Sequence, residues 1–255
     1  MIDRPEFSIS DVTCDSFLGG RAKLYQPREG YRAGIDAVFL SACVHPLQGQ
    51  SILDVGAGVG TASILLLVRE VTKHPLYVYA LEKEKELSEI SYQNSLLNNV
   101  APFLTSISCD LKEASSELTQ KSFDHVMTNP PFFDGTTLSP NRLKAEANHP
   151  STVSFEDWID FCIKRLKSSG TLTLIIPPER FSSFLKTSEG RVGGILVYPL
   201  WQRAETYAKR LLIQGIKGRK TPLKLLNGLV LHEHNRSFTQ KAHAILWEGQ
   251  ALNLH

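Results

Sequence analysis

A glycine-rich loop preceded by a carboxylate is the first stretch whose residue types and spacing suggest chemistry. In "LDVGAGVG", Asp54 precedes Gly56, Gly58 and Gly60. Glycine permits positive φ and lets a ligand approach the backbone without a Cβ in the way. The spacing differs from the dinucleotide G-x-G-x-x-G, and no Lys-Ser/Thr pair follows as in nucleoside triphosphate loops. The carboxylate suits an electropositive ligand, such as an amine or a sulfonium, better than a pyrophosphate. A simple strand–helix turn is the alternative.

The stretch "HVMTNPPFFDG" places an amide, two rigid rings and two aromatic side chains directly after a short apolar run. The side-chain oxygen of Asn129 and the carbonyl of Pro130 can accept hydrogen bonds from the two hydrogens of one amino group. Pro130 and Pro131 fix this geometry before a substrate binds. Phe132 can stack on a flipped-out base. A loop whose phenylalanines belong only to the core is the alternative.

Two more carboxylates follow apolar runs, Glu82 in "YALEKEKE" and Asp110 in "SISCDL". Glu82 lies 22 residues after Gly60, where an acidic side chain can accept hydrogen bonds from ribose hydroxyls. Asp110 can accept a hydrogen bond from an adenine amino group, although this residue taken alone is better explained as an N-cap or turn carboxylate.

The elements that must position these residues alternate between strand and helix patterns from about residue 50. The helical segment "SFEDWIDFCIKRLKSSG" is amphipathic, with Ser154 as a plausible N-cap, Asp157 at the fourth position of a capping box and Gly170 as a plausible stop. The alternation predicts a parallel, doubly wound α/β sheet, in which ligands bind beyond the carboxyl ends of the strands. The predicted strands are "QSILDV", "LYVYALE", "LTSISCD", "SFDHVMTN", "TLTLIIP", "GGILVYPLW" and "KRLLIQGIKG". The other predicted helices are "TASILLLVREV" and "KELSEISYQNSLLNNV".

Composition sets further limits. The 255 residues are 42% hydrophobic, enough for one large domain with a full core or for one domain plus a small appendage. The net charge is only +2, but residues 191–255 carry ten basic and three acidic side chains, which indicates either a face for a polyanion or an ordinary solvated surface. The four cysteines lack C-x-x-C spacing, so neither a zinc site nor a redox dithiol is indicated. Because no signal peptide or membrane-length apolar run is apparent, we expect a soluble, cytoplasmic protein. Since the cysteine spacing indicates no zinc site, we also expect no metal.

The order of these motifs resembles the class I methyltransferases that use S-adenosylmethionine, and Asn-Pro-Pro-Phe resembles the amino-methyltransferase motif. The resemblance implies a Rossmann-like, mostly parallel seven-stranded sheet with helices on both faces and an antiparallel strand near the C-terminus. It also implies that Asp54 and the three glycines lie beside the methionine part of the cofactor. Glu82 then holds the ribose and Asp110 the adenine, with Asn129 at the cofactor as well as at the amine.

The flanking segments "GGRAKLYQPREGYRAGIDAVFLSACV", "PLWQRAETYAKRLLIQGIKGRKTPLKLLNGLVLHE" and "FTQKAHAILWEG" resemble the bacterial tRNA(Val) (adenine-N6)-methyltransferase family over nearly the whole chain. This resemblance implies methylation of an adenine next to the anticodon. Residues 1–255 then form a single domain, with an extension at 1–48 that closes the site on the α/β core at 49–255. The extension residues that help close the cofactor pocket are Gln26, Pro27, Tyr31, Arg32, Gly34 and Asp36. A helix-leading loop over the sheet edge is the alternative.

Contacts to RNA phosphates are expected from exposed basic residues. The segment 203–224 holds seven basic residues and one acidic one. The candidates are Arg142, Lys144, Arg203, Lys217, Arg219 and Lys220, and a solvated surface is the alternative for each. The expected partner is tRNA. No membrane and no obligate protein partner are indicated, and a monomer or weak dimer is expected.

Three other functions remain open. "NPPF" followed by "DG" also resembles ribosomal RNA guanine-N2 methyltransferases, and many tRNA relatives carry Tyr where this chain has Phe132. A catalytically silent cofactor-binding or RNA-binding module is a second alternative, although it has no need of the intact motif around Asn129. A small-molecule N-methyltransferase is a third, made less attractive by the basic C-terminal quarter.

Overall fold

The computed structural model describes residues 12–30, 32–113, 118, 120–131 and 153–254. The chain begins with a β-hairpin and a helix and then alternates strands with helices. The strands are β1 (Val12–Phe17), β2 (Ala22–Pro27), β3 (Ser51–Val55), β4 (Tyr77–Glu82), β5 (Leu104–Ser108), β6 (Phe123–Thr128), β7 (Leu166–Ile176), β8 (Val192–Trp201), β9 (Ala208–Lys217), β10 (Lys224–Leu225) and β11 (Leu229–Val230). The helices are α1 (Ile35–Ala42), α2 (Thr61–Glu70), α3 (Lys85–Leu97), α4 (Phe155–Arg165), α5 (Phe181–Ser188) and α6 (Gln240–Leu246).

Seven strands form the main sheet in the order β5-β4-β3-β6-β7-β9-β8, and the short strands β10 and β11 both pair with β8. Strands β3 to β7 pair in parallel, whereas β9 runs antiparallel to both β7 and β8. The expected mostly parallel sheet with an antiparallel strand near the C-terminus is therefore confirmed. We call the edge where β3 to β8 end the carboxyl edge, and the opposite one the amino edge.

Apolar clusters cover both faces of the sheet. Successive strand residues point to opposite faces, so neighbours in one strand belong to different clusters. In β3, Ile52 belongs to one apolar cluster with side chains of α1, α2 and α6. Its neighbour Leu53 belongs to a second cluster with side chains of α4 and α5. Side chains of β2 and α1 lie in the first cluster, so the residues before β3 share the core of the α/β unit. Among the described residues, none of the helices combines the length and apolar composition needed to cross a bilayer.

Helix α4 shows where local signals decide an element and where tertiary packing does. Its start is as expected, since the Ser154 hydroxyl accepts a hydrogen bond from the Asp157 backbone N–H at 3.0 Å. Its end is not, because α4 stops at Arg165 and the expected stop at Gly170 is wrong. Leu166 pairs with Phe123 of β6, and both side chains are buried in the cluster beneath α4. That burial makes the chain extended from Leu166, four residues before the glycine.

Candidate active site

The glycine loop connects β3 to α2 at the carboxyl edge. Gly56, Gly58 and Gly60 have φ values of +73°, +57° and +78°, a region that favours glycine. The backbone N–H groups of Gly56 and Ala57 both donate to the Leu81 carbonyl, at 2.8 and 3.0 Å, and hold the loop against β4. The loop is therefore set by its neighbours before any ligand arrives.

Two glycines of this loop are also required by close packing. A Cβ on Gly56 would come within 2.7 Å of the Trp158 indole, and one on Gly60 would overlap the Ser91 hydroxyl. Side chains of α4 and α3 therefore pack against the loop from two sides. The spacing of the glycines predicted a close approach of a ligand; at these two positions the structure shows a close approach of protein side chains.

A hydrogen-bonded chain joins this loop to the Asn-Pro-Pro segment. The Trp158 indole N–H donates to the Thr128 hydroxyl at 2.9 Å. That hydroxyl donates to the Val55 carbonyl at 2.7 Å. Val55 directly precedes Gly56, and Thr128 directly precedes Asn129, so the chain fixes the ends of β3 and β6 relative to each other. Sequence reasoning missed Trp158 and Thr128. The available signal was a tryptophan on an amphipathic helix, because a buried indole N–H needs a partner.

Asn129 follows β6 at the carboxyl edge and is half-buried, and it precedes buried Pro130 and exposed Pro131. Within the described part of the chain, no group makes a hydrogen bond to its side-chain amide. The amide is therefore available to a ligand. Phe132, Arg142 and Lys144, which the sequence also nominates, lie outside the described residues.

The carboxylates of Glu82 and Asp110 lie together at the ends of β4 and β5, as the parallel topology predicts. Half-exposed Glu82 accepts hydrogen bonds from the backbone N–H groups of Gly58 at 2.8 Å and Glu84 at 3.0 Å. Asp110 pairs with Lys83 at 3.1 Å and accepts the Lys112 backbone N–H at 2.9 Å. Burial acts to raise the pKa of Asp110, but these contacts to Lys112 and Lys83 lower it below its usual value.

Asp54 lies deeper than the sequence suggests, with only 2% of its surface exposed. Its carboxyl group accepts a hydrogen bond from the Ser63 hydroxyl of α2 at 2.7 Å. Burial raises the pKa of Asp54 to about 7, and the nearby charge of Glu82 adds to the rise, while Ser63 opposes it. A positive group next to this carboxyl would favour its ionised form.

Gln26 and Arg32, both nominated for the cofactor pocket, belong to one polar network in the N-terminal segment. The buried Gln26 amide donates to Asp15 at 2.7 Å and accepts the Ala33 backbone N–H at 2.7 Å. Arg32 pairs with the same Asp15 and donates to the Thr13 hydroxyl at 2.8 Å. The network ties the β1–β2 hairpin to the segment that leads into α1.

Gly34 and Asp36 lie at the start of α1. Gly34 is the N-cap residue, with extended backbone. The Asp36 carboxylate accepts a hydrogen bond from the Arg210 guanidinium of β9 at 2.7 Å. This ion pair ties the beginning of α1 to the beginning of β9 at the carboxyl edge. Tyr31, which the sequence also nominates, is not among the described residues. A cofactor contact stays a prediction for each nominated residue of this extension.

Asn94 of α3 is a site residue that sequence reasoning missed. Its amide donates to the Val59 carbonyl of the glycine loop at 2.9 Å and to the Tyr25 carbonyl of β2 at 3.1 Å. Its oxygen accepts the Tyr25 backbone N–H at 2.7 Å. One buried side chain therefore connects the glycine loop to the N-terminal hairpin. The signal was a run of polar residues on the buried face of α3, namely Ser88, Ser91, Asn94 and Ser95.

The nominated RNA-contacting residues separate into two places. Arg203 lies in the turn between β8 and β9, at the carboxyl edge with Asn129. Lys217 ends β9 at the amino edge, where its ammonium group donates to the Leu166 carbonyl at 2.7 Å. Burial, with the charges of Arg165 and Arg191, lowers the pKa of Lys217. Arg219 and Lys220 follow it, exposed, so the structure does not bring this cluster to the glycine loop. In the described ranges, no group of three or more His, Cys, Asp or Glu side chains is placed to hold a metal ion.

Solved structures share this fold. A protein from Agrobacterium tumefaciens, described as a predicted O-methyltransferase, superposes with a TM-score of 0.68 at 24% identity, covering 86% of this chain and 98% of that one. The fold is that of the class I methyltransferases, which use S-adenosylmethionine. The chain belongs to the methyltransferase small domain family, whose model matches residues 34–179, more than half of the sequence.

Curated relatives narrow the comparison. Proteins named tRNA1(Val) (adenine(37)-N6)-methyltransferase match from Shewanella woodyi, at 28% identity over 63% of this chain, and from Shewanella sediminis, at 32% identity over 61%. The matched region spans 65% and 63% of these relatives, slightly less than two thirds of their length.

Proposed function

We propose that the protein transfers a methyl group from S-adenosylmethionine to the exocyclic N6 of an adenine in tRNA, next to the anticodon of tRNA(Val). The observation that carries the proposal is the half-buried Asn129 amide at the end of β6. It has no hydrogen-bond partner among the described residues, and the Thr128–Val55 contact holds it beside the glycine loop. The relatives named as tRNA adenine-N6 methyltransferases support the choice of substrate. We place the reaction in the cytoplasm, with the protein acting as a monomer or weak dimer.

The residues present fit the cofactor. The Thr61 hydroxyl, in the first turn of α2, is buried and has no hydrogen-bond partner within the described residues, as expected beside a ligand-binding loop. The Glu82 carboxylate uses two acceptor sites on Gly58 and Glu84, which leaves others for ribose hydroxyls. In the proposal Glu82 holds the ribose and Asp110 the adenine. Asp54 and the three loop glycines lie beside the methionine part.

The reaction needs positioning more than acid–base power. When bound, the cofactor supplies an activated methyl group on its sulfonium. The amino nitrogen of adenine is a poor nucleophile because its lone pair is delocalised into the ring. In the proposal the Asn129 side-chain oxygen and the Pro130 carbonyl each accept one amino hydrogen, which turns the lone pair towards the methyl group. The nitrogen would gain the methyl group as the methyl–sulfur bond breaks and the sulfur leaves as a neutral thioether, and the nitrogen would then lose one proton to water. Preorganised acceptors supply most of the rate.

Product analysis tests the proposal. Purified protein is incubated with methyl-labelled S-adenosylmethionine and either unmodified total tRNA or unmodified ribosomal RNA, and the digested nucleosides are identified by mass spectrometry. N6-methyladenosine from tRNA is the expected product. N2-methylguanosine from ribosomal RNA would keep the mechanism and overturn the substrate. Cofactor binding without a product from either RNA would overturn the proposal and favour a protein, a small-molecule or a non-catalytic function.

A further inference from the structure

A groove of about 610 Å³ opens at the carboxyl edge, between the β8–β9 turn and the segment after β11. Its lining residues include Arg203, Tyr207, Lys209, His232 and Arg236. The two walls are joined by backbone, because the His232 N–H donates to the Gln202 carbonyl at 3.1 Å. The His232 ring stacks on Phe238 with the ring centres 4.7 Å apart. These two contacts hold the two walls of the groove together and fix the position of the His232 ring.

The side chains that line the groove are mostly cationic or aromatic. Arg203, Lys209 and Arg236 are exposed, and none of the three has a carboxylate partner among the residues that the structure describes. Glu205 and Glu233 lie in the same two segments, so the positive charges remain in excess. Tyr207 is 94% exposed, far more than is usual for so large a ring. Unpaired cations beside an open aromatic face are the combination that single-stranded nucleic acids use, with phosphates on the cations and a base on the ring.

The groove and Asn129 share one edge of the sheet. Strand β9 lies two strands from β6, and β8 lies three, so the lateral offsets are about 10 and 14 Å at the usual strand spacing. By register, Leu211 lies opposite Ile176 and Ile213 opposite Leu174, which itself pairs with Thr128. The β8–β9 turn therefore extends beyond the level of Asn129 on the same side. Nucleotides next to a base held at Asn129 would reach it.

We infer that this groove binds the RNA strand flanking the methylated base, with Arg203, Lys209 and Arg236 on phosphates and Tyr207 stacked on a neighbouring base. The inference rests on the proposed RNA methyltransferase function and assigns its substrate surface. It differs from the cluster Lys217, Arg219 and Lys220, which lies at the far end of β9, ten residues and about 30 Å away.

Matched double variants test the inference, since each pair removes two exposed positive charges from one end of β9. One is Arg203→Ala with Lys209→Ala, and the control is Arg219→Ala with Lys220→Ala. Affinity for a fluorescent, unmodified tRNA transcript is measured by anisotropy at several salt concentrations. We expect the groove variant to bind about tenfold or more weakly, with a salt slope reduced by roughly 1.4 to 1.8, and the control to stay within about twofold of wild type.

Tyr207 gives a second, uncharged test. Tyr207→Ala should weaken binding by about tenfold, whereas Tyr207→Phe keeps the ring and should bind like wild type. Cofactor affinity, measured by calorimetry, should be unchanged in all these variants, which shows that they are folded.

The inference is overturned if the groove variants bind tRNA like wild type, or if both double variants lose the same amount of tRNA affinity. It is also overturned if the wild-type protein does not bind RNA. Failure of the proposed function is a separate result. A protein that binds tRNA through the groove but yields no N6-methyladenosine would retain this surface and refute the reaction.

Discussion

Asn129 is placed for chemistry by the residues on either side of it. Thr128 is held to Val55, and the following prolines restrict the backbone, so the amide is presented in one geometry. We expect Asn129→Ala to bind S-adenosylmethionine within a few-fold of wild type, because its methionine and ribose contacts lie elsewhere. Methyl transfer should fall by about 10²–10³-fold, the usual cost of removing one preorganised polar contact to the reacting group.

Asn129→Asp is the matched control, because aspartate keeps an acceptor oxygen at the same position. It should retain clearly more activity than the alanine variant. Calorimetry for the cofactor and single-turnover methylation separate binding from chemistry. Near-normal turnover by the alanine variant would remove Asn129 from the mechanism.

Asp54 gives a prediction about pH. Its pKa is about 7 in the folded protein, chiefly through burial, against 3.8 ordinarily. Between these values the folded state holds a proton that the unfolded state has lost, so this residue's contribution to stability falls as pH rises, by up to about 1.4 kcal/mol per pH unit. Asp54→Asn, which stays neutral, should therefore gain stability relative to wild type as pH rises from 5 to 7, as measured by urea unfolding.

Asp124→Asn provides the control for that experiment. Burial acts to raise the pKa of Asp124, but contacts to Lys167 and Ser51 lower it below its usual value. This carboxyl is therefore ionised in both the folded and the unfolded state above pH 5. Its difference from wild type should stay constant over the same range. A constant difference for Asp54→Asn as well would show that Asp54 is ionised in the folded protein.

At the scale of elements, helix α3 connects the hairpin to the core. Asn94 and Asn98, one turn apart, each accept a backbone N–H of β2 and donate to the carbonyl of the same residue, Tyr25 and Lys23 respectively. Their amides therefore pair with β2 much as another strand would. Asn94 alone reaches the Val59 carbonyl of the glycine loop. The hairpin and the loop are thus positioned by one helix face.

Alanine substitutions at these two positions separate packing from site geometry. Asn94→Ala leaves buried groups of Tyr25 and Val59 unpaired and should lower the free energy of unfolding by about 2–4 kcal/mol. It should also weaken cofactor binding, because the glycine loop loses a contact. Asn98→Ala removes the same kind of amide at a more exposed site. It should lower the free energy of unfolding by less than Asn94→Ala does and leave cofactor affinity unchanged. Equal cofactor affinities for both variants would contradict the role given to Asn94.

Local sequence predicted the elements whose patterns are self-contained. Strand β3 is a short apolar run that is almost wholly buried, and Ser154 caps α4 through its own neighbours. The end of α4 could not be predicted, because the pairing of Leu166 with Phe123 decides it. The β1–β2 hairpin was missed for a similar reason, since its contacts to α3 come from about 70 residues away.

The candidate site divides in the same way. Asp54, Glu82, Asp110 and Asn129 could be placed together because parallel strands end at one edge. The Trp158–Thr128–Val55 chain joins three separate elements, and no spacing in the sequence encodes it. The burial of Asp54 was also missed, because it depends on how α2 packs over the strand end.

At the scale of the whole molecule, the basic surplus of the last quarter is not one surface. Strand β9 runs antiparallel to its neighbours, so it carries the chain from the carboxyl edge at Ala208 to the amino edge at Lys217. Arg203 and Lys209, near the start of this strand, therefore lie at the carboxyl edge, whereas Lys217, Arg219 and Lys220 lie at the amino edge. A count along the sequence merges them, whereas the topology assigns only the first group to the edge that holds Asn129.

The most direct test of the account is methylation of one defined nucleotide. A tRNA(Val) transcript and a second transcript, in which guanine replaces the adenine next to the anticodon, are each incubated with the protein and methyl-labelled S-adenosylmethionine. The proposed function predicts about one methyl group per molecule of the first transcript, recovered as N6-methyladenosine, and none in the second. Equal labelling of both transcripts, or a methylated guanine as the product, would contradict it.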